Sequence, residues 1–159
     1  MALAATTPLS QYGSYSNSAD FHALFGDNAA QNDSEDGWQL PYKPRAKMIE
    51  FHQRTERFAF LICHRRYGKT VACVAELIIR ALYTTKKNAQ YAYVCPFRSQ
   101  AKAVAWQYLV DMTQGIAVDV KVSELSVTLP NGAKIWLSGS DNINALRGLY
   151  LDGCVLDEF

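Results

Sequence analysis

An excess of charge of one sign is missing from this chain. Its 16 Lys and Arg against 15 Asp and Glu leave a net charge of +1. The overall balance therefore demands neither a nucleic acid nor an anionic membrane as partner, although a local basic patch remains compatible with either. No apolar run reaches the roughly 18 residues a membrane helix needs, and no basic start leads into an apolar signal core. No membrane role is expected, and the expected location is cytoplasmic. The four cysteines, Cys63, Cys73, Cys95 and Cys154, sit inside apolar runs, none close enough to another for a metal knuckle, and no His pair completes a zinc site. They are read as small, reduced core residues. No internal repeat is present. With 159 residues, 49% of them apolar, the chain is long enough for one domain with a real hydrophobic core.

Residues 1–36 are rich in Ala, Ser, Asn, Thr and Gly with little apolar periodicity. Such a segment buries too little surface to offset its ordering entropy, so a mobile N-terminal arm is expected, with Phe21-His22-Ala23-Leu24-Phe25 as a transient helix. Residues 37–159 form the expected folded part, a partial ATPase domain. Trp38 to Pro44 is extended and proline-punctuated, and Ala46 to Arg57 reads as a helix. Phe58 to Cys63 is a continuous apolar run of strand length, the pattern of a central parallel strand buried on both faces. From Lys69 to about Tyr83, Val71, Val74, Ala75, Ile78, Ile79 and Leu82 recur at helical spacing. Tyr91 to Cys95 is a second strand, and Ser99 to about Met112 a second helix with Ser99 as N-cap.

The period then changes to two. Val118, Val120 and Val122 alternate, as do Leu125, Val127 and Leu129. Pro130-Asn131-Gly132 makes a turn, and Ile135 and Leu137 alternate on the return, predicting an antiparallel hairpin inserted in an α/β pattern. A short helical turn near Asn142 to Leu146 leads to a last strand at Gly153 to Leu156.

Two stretches carry chemistry. Cys63-His64-Arg65-Arg66-Tyr67-Gly68-Lys69-Thr70 follows a predicted strand and opens a predicted helix. It matches the phosphate-loop pattern except that Cys63 stands where the first glycine is usual. Successive backbone N–H groups and the helix N-terminus make such a loop a concave anion site. Gly68 permits close backbone approach, Lys69 reaches the β- and γ-phosphates of ATP, and the Thr70 hydroxyl coordinates magnesium. Arg65 and Arg66 would draw charge from a departing γ-phosphoryl group. The second stretch, Cys154-Val155-Leu156-Asp157-Glu158, is an apolar strand ending in two carboxylates. Neighbours on a strand point to opposite sides, so the two acids have separate tasks. Asp157 is placed for the magnesium ion and Glu158 for polarising an attacking water as general base.

Together these residues resemble the large terminase subunit of tailed bacteriophages, the ATPase motor that packages DNA into the procapsid. Four stretches within residues 38–159 carry the likeness. They are Tyr42-Lys43-Pro44-Arg45 through Arg54, similar to an adenine-side segment; the arginine-bearing loop 63–70 (Walker A); Tyr93 to Pro96 with Gln100-Ala101-Lys102 and Trp106; and Leu137 to Asn142, Leu146-Arg147-Gly148 and Asp152 to Glu158 (Walker B). The resemblance implies an ASCE-type P-loop NTPase fold, a mostly parallel sheet with flanking helices.

It also implies roles. Tyr42 and Arg45 would flank the nucleotide, and Arg65 would contact the γ-phosphate. Arg147 would be an arginine finger for a neighbouring subunit, stabilising transition-state charge. The implied cofactors are ATP and Mg2+. The implied partners are double-stranded DNA, the small terminase subunit, the portal protein and further copies in a homo-oligomeric ring, in the cytoplasm of an infected bacterial host. This chain departs from the family in carrying Lys47 beside Met48 where members often have a glutamine. A lysine lacks the paired donor and acceptor that reads adenine's edge.

The sequence given ends at Phe159, before the strand that in related ATPases inserts between the phosphate-loop strand and the acidic strand, and before any nuclease carboxylates. The expectations are that the two strands pair directly or leave a gap, that Asp157 and Glu158 shift relative to Lys69, and that the chain has no nuclease activity. Two alternatives stand beside the motor: a nucleotide-binding remnant serving assembly without turnover, and another P-loop motor such as a helicase.

Overall fold

A computed structural model describes residues 2–6, 38, 40–142 and 147–158. They form an α/β fold around one mixed seven-stranded sheet. The strands are β1 (Ala2–Thr6), β2 (Phe58–Leu61), β3 (Gln90–Cys95), β4 (Asp119–Lys121), β5 (Ser126–Thr128), β6 (Lys134–Gly139) and β7 (Gly153–Asp157), in the spatial order β2-β1-β7-β3-β6-β5-β4. The helices are α1 (Ala46–Gln53), α2 (Lys69–Tyr83) and α3. The last runs from Arg98–Ala101 through a π-helical turn at Lys102–Trp106 into Gln107–Thr113.

β3 pairs in parallel with both β6 and β7, and β1 pairs antiparallel with both β2 and β7. By that double reversal β2 runs in the same direction as β7, β3 and β6, and β1 is the only strand opposed to its neighbours in this half of the sheet. This corrects two expectations. Residues 2–6 belong to the sheet rather than to a mobile arm, while the stretch Phe21 to Phe25 lies outside the described residues. β2 and the acidic strand β7 neither pair nor leave a gap: β1 fills the slot, with Ala2 opposite both Leu61 and Asp157. The two strands are therefore held two strand spacings apart, about 10 Å.

α2 supplies most of the core. Its apolar residues are so dense that ten of its fifteen positions are buried, and Leu77, Ile78 and Ile79 are each at most 1% exposed. Full burial of side chains this size is worth about 2 kcal/mol each before conformational entropy is charged against it. They pack with Tyr91, Tyr93, Ile135, Leu137 and Val155, one face of the central strands, and with Leu109 and Met112 of α3. At the C-terminal end of α2, the Asn131 side chain donates to the Ala81 and Leu82 carbonyls, so the turn after β5 satisfies groups the helix cannot.

Other expectations shift with tertiary context. The first helix ends at Gln53, with Arg54 extended, rather than at Arg57. β2 lies at the edge of the sheet, not at its centre, and is not buried on both faces: Phe58 is 58% and Phe60 61% exposed. Ser99 does not cap α3, which starts one residue earlier after Phe97. The predicted hairpin is part of a three-strand antiparallel run, β4-β5-β6, whose last strand joins the parallel sheet. The alternating Val118, Val120 and Val122 are exposed on its outer edge. Helical geometry after β6 is described at Ser140–Asn142, and the rest of that predicted turn, to Leu146, lies outside the described residues. All four cysteines are free; Cys73 and Cys95 are buried, Cys63 and Cys154 half-buried.

Candidate nucleotide site

The loop from β2 to α2 turns sharply because two of its residues take the left-handed region. Arg66 has φ +63° and Gly68, the residue before the first turn of α2, φ +93°. Glycine adopts that geometry without the steric cost of a Cβ, and Arg66 bears the cost. Lys69, the first helical residue, folds back across the loop and donates from Nζ to the carbonyls of Cys63 at 3.0 Å and His64 at 3.3 Å. These neutral acceptors hold the ammonium over the loop that the sequence assigns to phosphate. His64 meets the Tyr67 ring edge-on, with centroids 5.5 Å apart, and donates from Nδ1 to the Arg65 carbonyl at 3.0 Å. Arg65 and Arg66 are exposed.

Two cavities adjoin this loop and share Tyr67, Gly68 and Val71 as walls. The larger, about 620 Å³, lies between the loop with the start of α2 and the middle of α3, and takes in Arg66, Lys69, Thr70, Ala103, Val104 and Tyr108. Its far wall is the π-helical turn of α3, a local widening that recurs at functional sites. The smaller, about 190 Å³, is bounded by Tyr42, Lys43, Arg45 and Met48. The Arg45 guanidinium lies 5.5 Å from the Tyr67 ring centroid, close enough for a cation–π contact.

Asp157 is joined to the central strand β3 through Tyr93, a residue to which the sequence assigned a strand but no role at the site. The Tyr93 hydroxyl donates to Asp157 Oδ2 at 2.6 Å, and the Thr70 side chain lies beside the Tyr93 hydroxyl. Burial first, and the adjoining Asp157 carboxylate second, push the Tyr93 phenol far above its ordinary range, so it stays protonated and donating. Thr70 on α2 and Asp157 at the end of β7 thus meet at one atom on β3. These are hard oxygen donors of the kind magnesium takes. No group of three or more His, Cys, Asp or Glu that could hold a metal alone occurs among the described residues.

Glu158 faces elsewhere. It is exposed, has φ +61°, and accepts from Gln100 Nε2 at 2.6 Å. The two neighbouring acids differ in environment, Asp157 buried at the end of β7 and Glu158 in solvent just beyond the strand. A left-handed glutamate is uncommon and stores strain. Upstream, Asp152 accepts from Lys86 Nζ at 2.7 Å and from the Gln90 backbone N–H at 2.9 Å, tying the approach of β7 to the start of β3. Gly139 has no room for a Cβ, which would strike the Asp141 carboxylate and the Arg98 backbone; this lets the end of β6 press against the start of α3. Arg147 is exposed in the turn before β7 and does not line either loop cavity.

A buried ionic cluster, also missed from sequence, joins the two sides of the site. Glu76 of α2 accepts from Arg54 at 2.6 Å and Arg80 at 2.9 Å on one oxygen, and pairs with His52 Nδ1 at 2.7 Å on the other. His52 in turn contacts the Tyr42 hydroxyl at 3.2 Å. Burial raises the Glu76 carboxyl's pKa, but His52, Arg80 and Arg54 overcome it and bring it down to about 2. The cluster fixes α1 and the Tyr42 side of the small cavity against the helix that carries Lys69 and Thr70. The i,i+4 spacing of Glu76 and Arg80 was its one sequence signal.

No family model, curated protein or solved structure matches this chain. Among the described residues no helix is long and apolar enough to cross a membrane.

Proposed function

We propose that this chain is the ATP-binding part of a phage terminase large subunit, a P-loop NTPase that hydrolyses ATP to drive double-stranded DNA into the procapsid. The observation that carries the proposal is the meeting of Thr70 and Asp157 at the Tyr93 hydroxyl, beside a strand–loop–helix whose Lys69 curls over the loop. Separate sequence motifs then serve one centre, as phosphate and magnesium binding requires.

In this reading Lys69 and the loop backbone hold the β- and γ-phosphates, while Thr70 and Asp157 hold magnesium, which supplies charge neutralisation when bound. Arg65 and Arg66 add cationic charge beside the leaving phosphoryl group. Glu158, in solvent and one residue beyond Asp157, takes the proton of the attacking water. Release of Glu158 from Gln100 frees its carboxylate for that task. Arg147, exposed and outside both cavities, suits a finger acting on a neighbouring subunit better than one acting on its own loop. The DNA, the small subunit, the portal, the ring and the infected-cell cytoplasm follow from the resemblance alone.

A second reading has its own observation in favour. β1 stands antiparallel between β2 and β7, and Glu158 is engaged by Gln100, an arrangement suited to binding without turnover. Both readings are tested by measuring magnesium-dependent ATP binding and hydrolysis in the parent, Lys69→Ala and Glu158→Gln chains. The motor reading expects turnover lost in both variants and binding lost only in Lys69→Ala. Binding without turnover in the parent selects the remnant. A parent chain that binds no ATP sinks both.

A further inference from the structure

We propose that Tyr93 decides which divalent cation the site accepts: by holding one oxygen of Asp157 it favours magnesium over calcium. The inference rests on the nucleotide-binding reading above and adds to it a determinant of cation choice.

A carboxylate meets a cation through one oxygen or through both, and ions differ in which they take. Magnesium demands near-ideal octahedral geometry, keeps several waters and uses one or two carboxylates beside the phosphates of a substrate. Calcium takes about six to eight oxygens at longer distances in flexible geometry, and carboxylates that give both oxygens are among its usual ligands. A site that withholds one carboxylate oxygen therefore weighs against calcium more than against magnesium.

Asp157 is such a carboxylate. Its Oδ2 accepts from the Tyr93 hydroxyl at 2.6 Å, so that oxygen is engaged and Oδ1 is left for a cation or for a water the cation holds. A hydroxyl bound to a carboxylate makes a charge-assisted bond, roughly twice as strong as a neutral one. Both residues are buried, and Tyr93 sits within β3, flanked by Leu137 of β6 and Val155 of β7. The packing holds the pair together. A cation that claims both oxygens must break this bond in the interior, where a hydroxyl that loses its carboxylate partner is costly. One that takes a single oxygen leaves the bond intact. The Thr70 side chain lies beside the same hydroxyl, so Tyr93 adjoins both proposed ligands. Glu158 accepts from Gln100 and is exposed, so it does not make up the oxygen that Tyr93 withholds. Tyr93 is thus a positioning residue that acts on the cation through Asp157.

The test is equilibrium binding of a fluorescent ribose-labelled ATP as its magnesium and its calcium complex, on the parent and Tyr93→Phe chains. Displacement by inorganic tripolyphosphate without divalent cations reports on the phosphate loop alone. Circular dichroism checks the fold, and Tyr93→Leu, which also lacks the hydroxyl, is the second variant. The parent is expected to bind the magnesium complex more tightly than the calcium complex. Tyr93→Phe frees Oδ2 and is expected to move that ratio toward calcium by about tenfold, the low end of what a partner of a metal-ligating carboxylate is worth. A merely structural part for Tyr93 would weaken both complexes equally and leave the ratio in place. A parent that takes calcium as readily as magnesium overturns the inference whether or not either variant folds. A ratio unmoved in the folded variants overturns it too, while nucleotide binding stands. A parent that binds labelled ATP neither with the cations nor without them overturns the nucleotide reading beneath it.

Discussion

Replacing Glu76 with glutamine changes little in shape and much in energy. Glu76 is fully buried and answers two guanidinium groups, Arg54 and Arg80, that are themselves buried. The amide keeps an acceptor oxygen but removes the counter-charge, leaving both cations in the interior. Breaking a buried pair by removing one partner costs about 3–5 kcal/mol. The depressed carboxyl pKa reflects the same contacts. A shift from 4.5 to about 2 corresponds to about 3 kcal/mol of stabilisation in the folded state.

The sign follows from the direction. A depressed carboxyl contributes fully above its unfolded value of 4.5, and the contribution is lost as pH falls toward about 2. Urea unfolding followed by circular dichroism at neutral pH is the assay. With a slope of about 2 kcal/mol per molar, the midpoint of Glu76→Gln is expected to fall by about 1.5–2.5 M. Between pH 4.5 and 2 the parent should lose most of that advantage and the variant should change less. A midpoint within about 0.3 M of the parent at neutral pH, about 0.6 kcal/mol at that slope, would refute the reasoning. It would mean that the interior solvates the two arginines by other means.

Two further perturbations probe the centre of the sheet. Tyr93→Phe removes the donor to Asp157 and leaves a buried carboxylate short of a partner, a loss of about 1–3 kcal/mol; thermal melts should show it, and magnesium should restore more stability to the variant than to the parent. Ala4→Pro removes a ladder donor from a strand paired on both sides, expected to cost about 3 kcal/mol. Its readout is loss of amide exchange protection in β2 and β7 with β3 and β6 spared, and unchanged protection in β2 would count against the pairing.

Local pattern and long-range pairing were not equally readable. The α2 periodicity, the strand–loop–helix at residues 58–83 and the apolar strand before Asp157 are written in short windows, and each appears where its spacing puts it. β1 is not. Ala2-Leu3-Ala4-Ala5-Thr6 lacks the alternation of a strand and has only Thr6 as a β-branched residue, and its conformation is decided by the slot between β2 and β7. Edge or centre is likewise a property of neighbours, which is why Phe58 and Phe60 read as buried and are exposed. For the candidate site, loop 63–70 and Asp157 were visible as motifs. Tyr93 and Glu76 were not, because a core tyrosine and a polar residue on an apolar helix gain their roles only from partners far along the chain.

The antiparallel strand at the start of the chain also has a consequence in time. Its pairing joins Ala2 to Asp157, the longest sequence separation among the described pairings, so the slot it fills exists only after β7 has reached the sheet. On a ribosome β1 emerges before the strands it pairs with and becomes the last to acquire a place, while α2 and its parallel strands assemble without it. Contacts this distant slow folding. During that delay the inner edges of β2 and β7 carry unpaired backbone groups, the condition under which nascent sheets recruit the wrong strand.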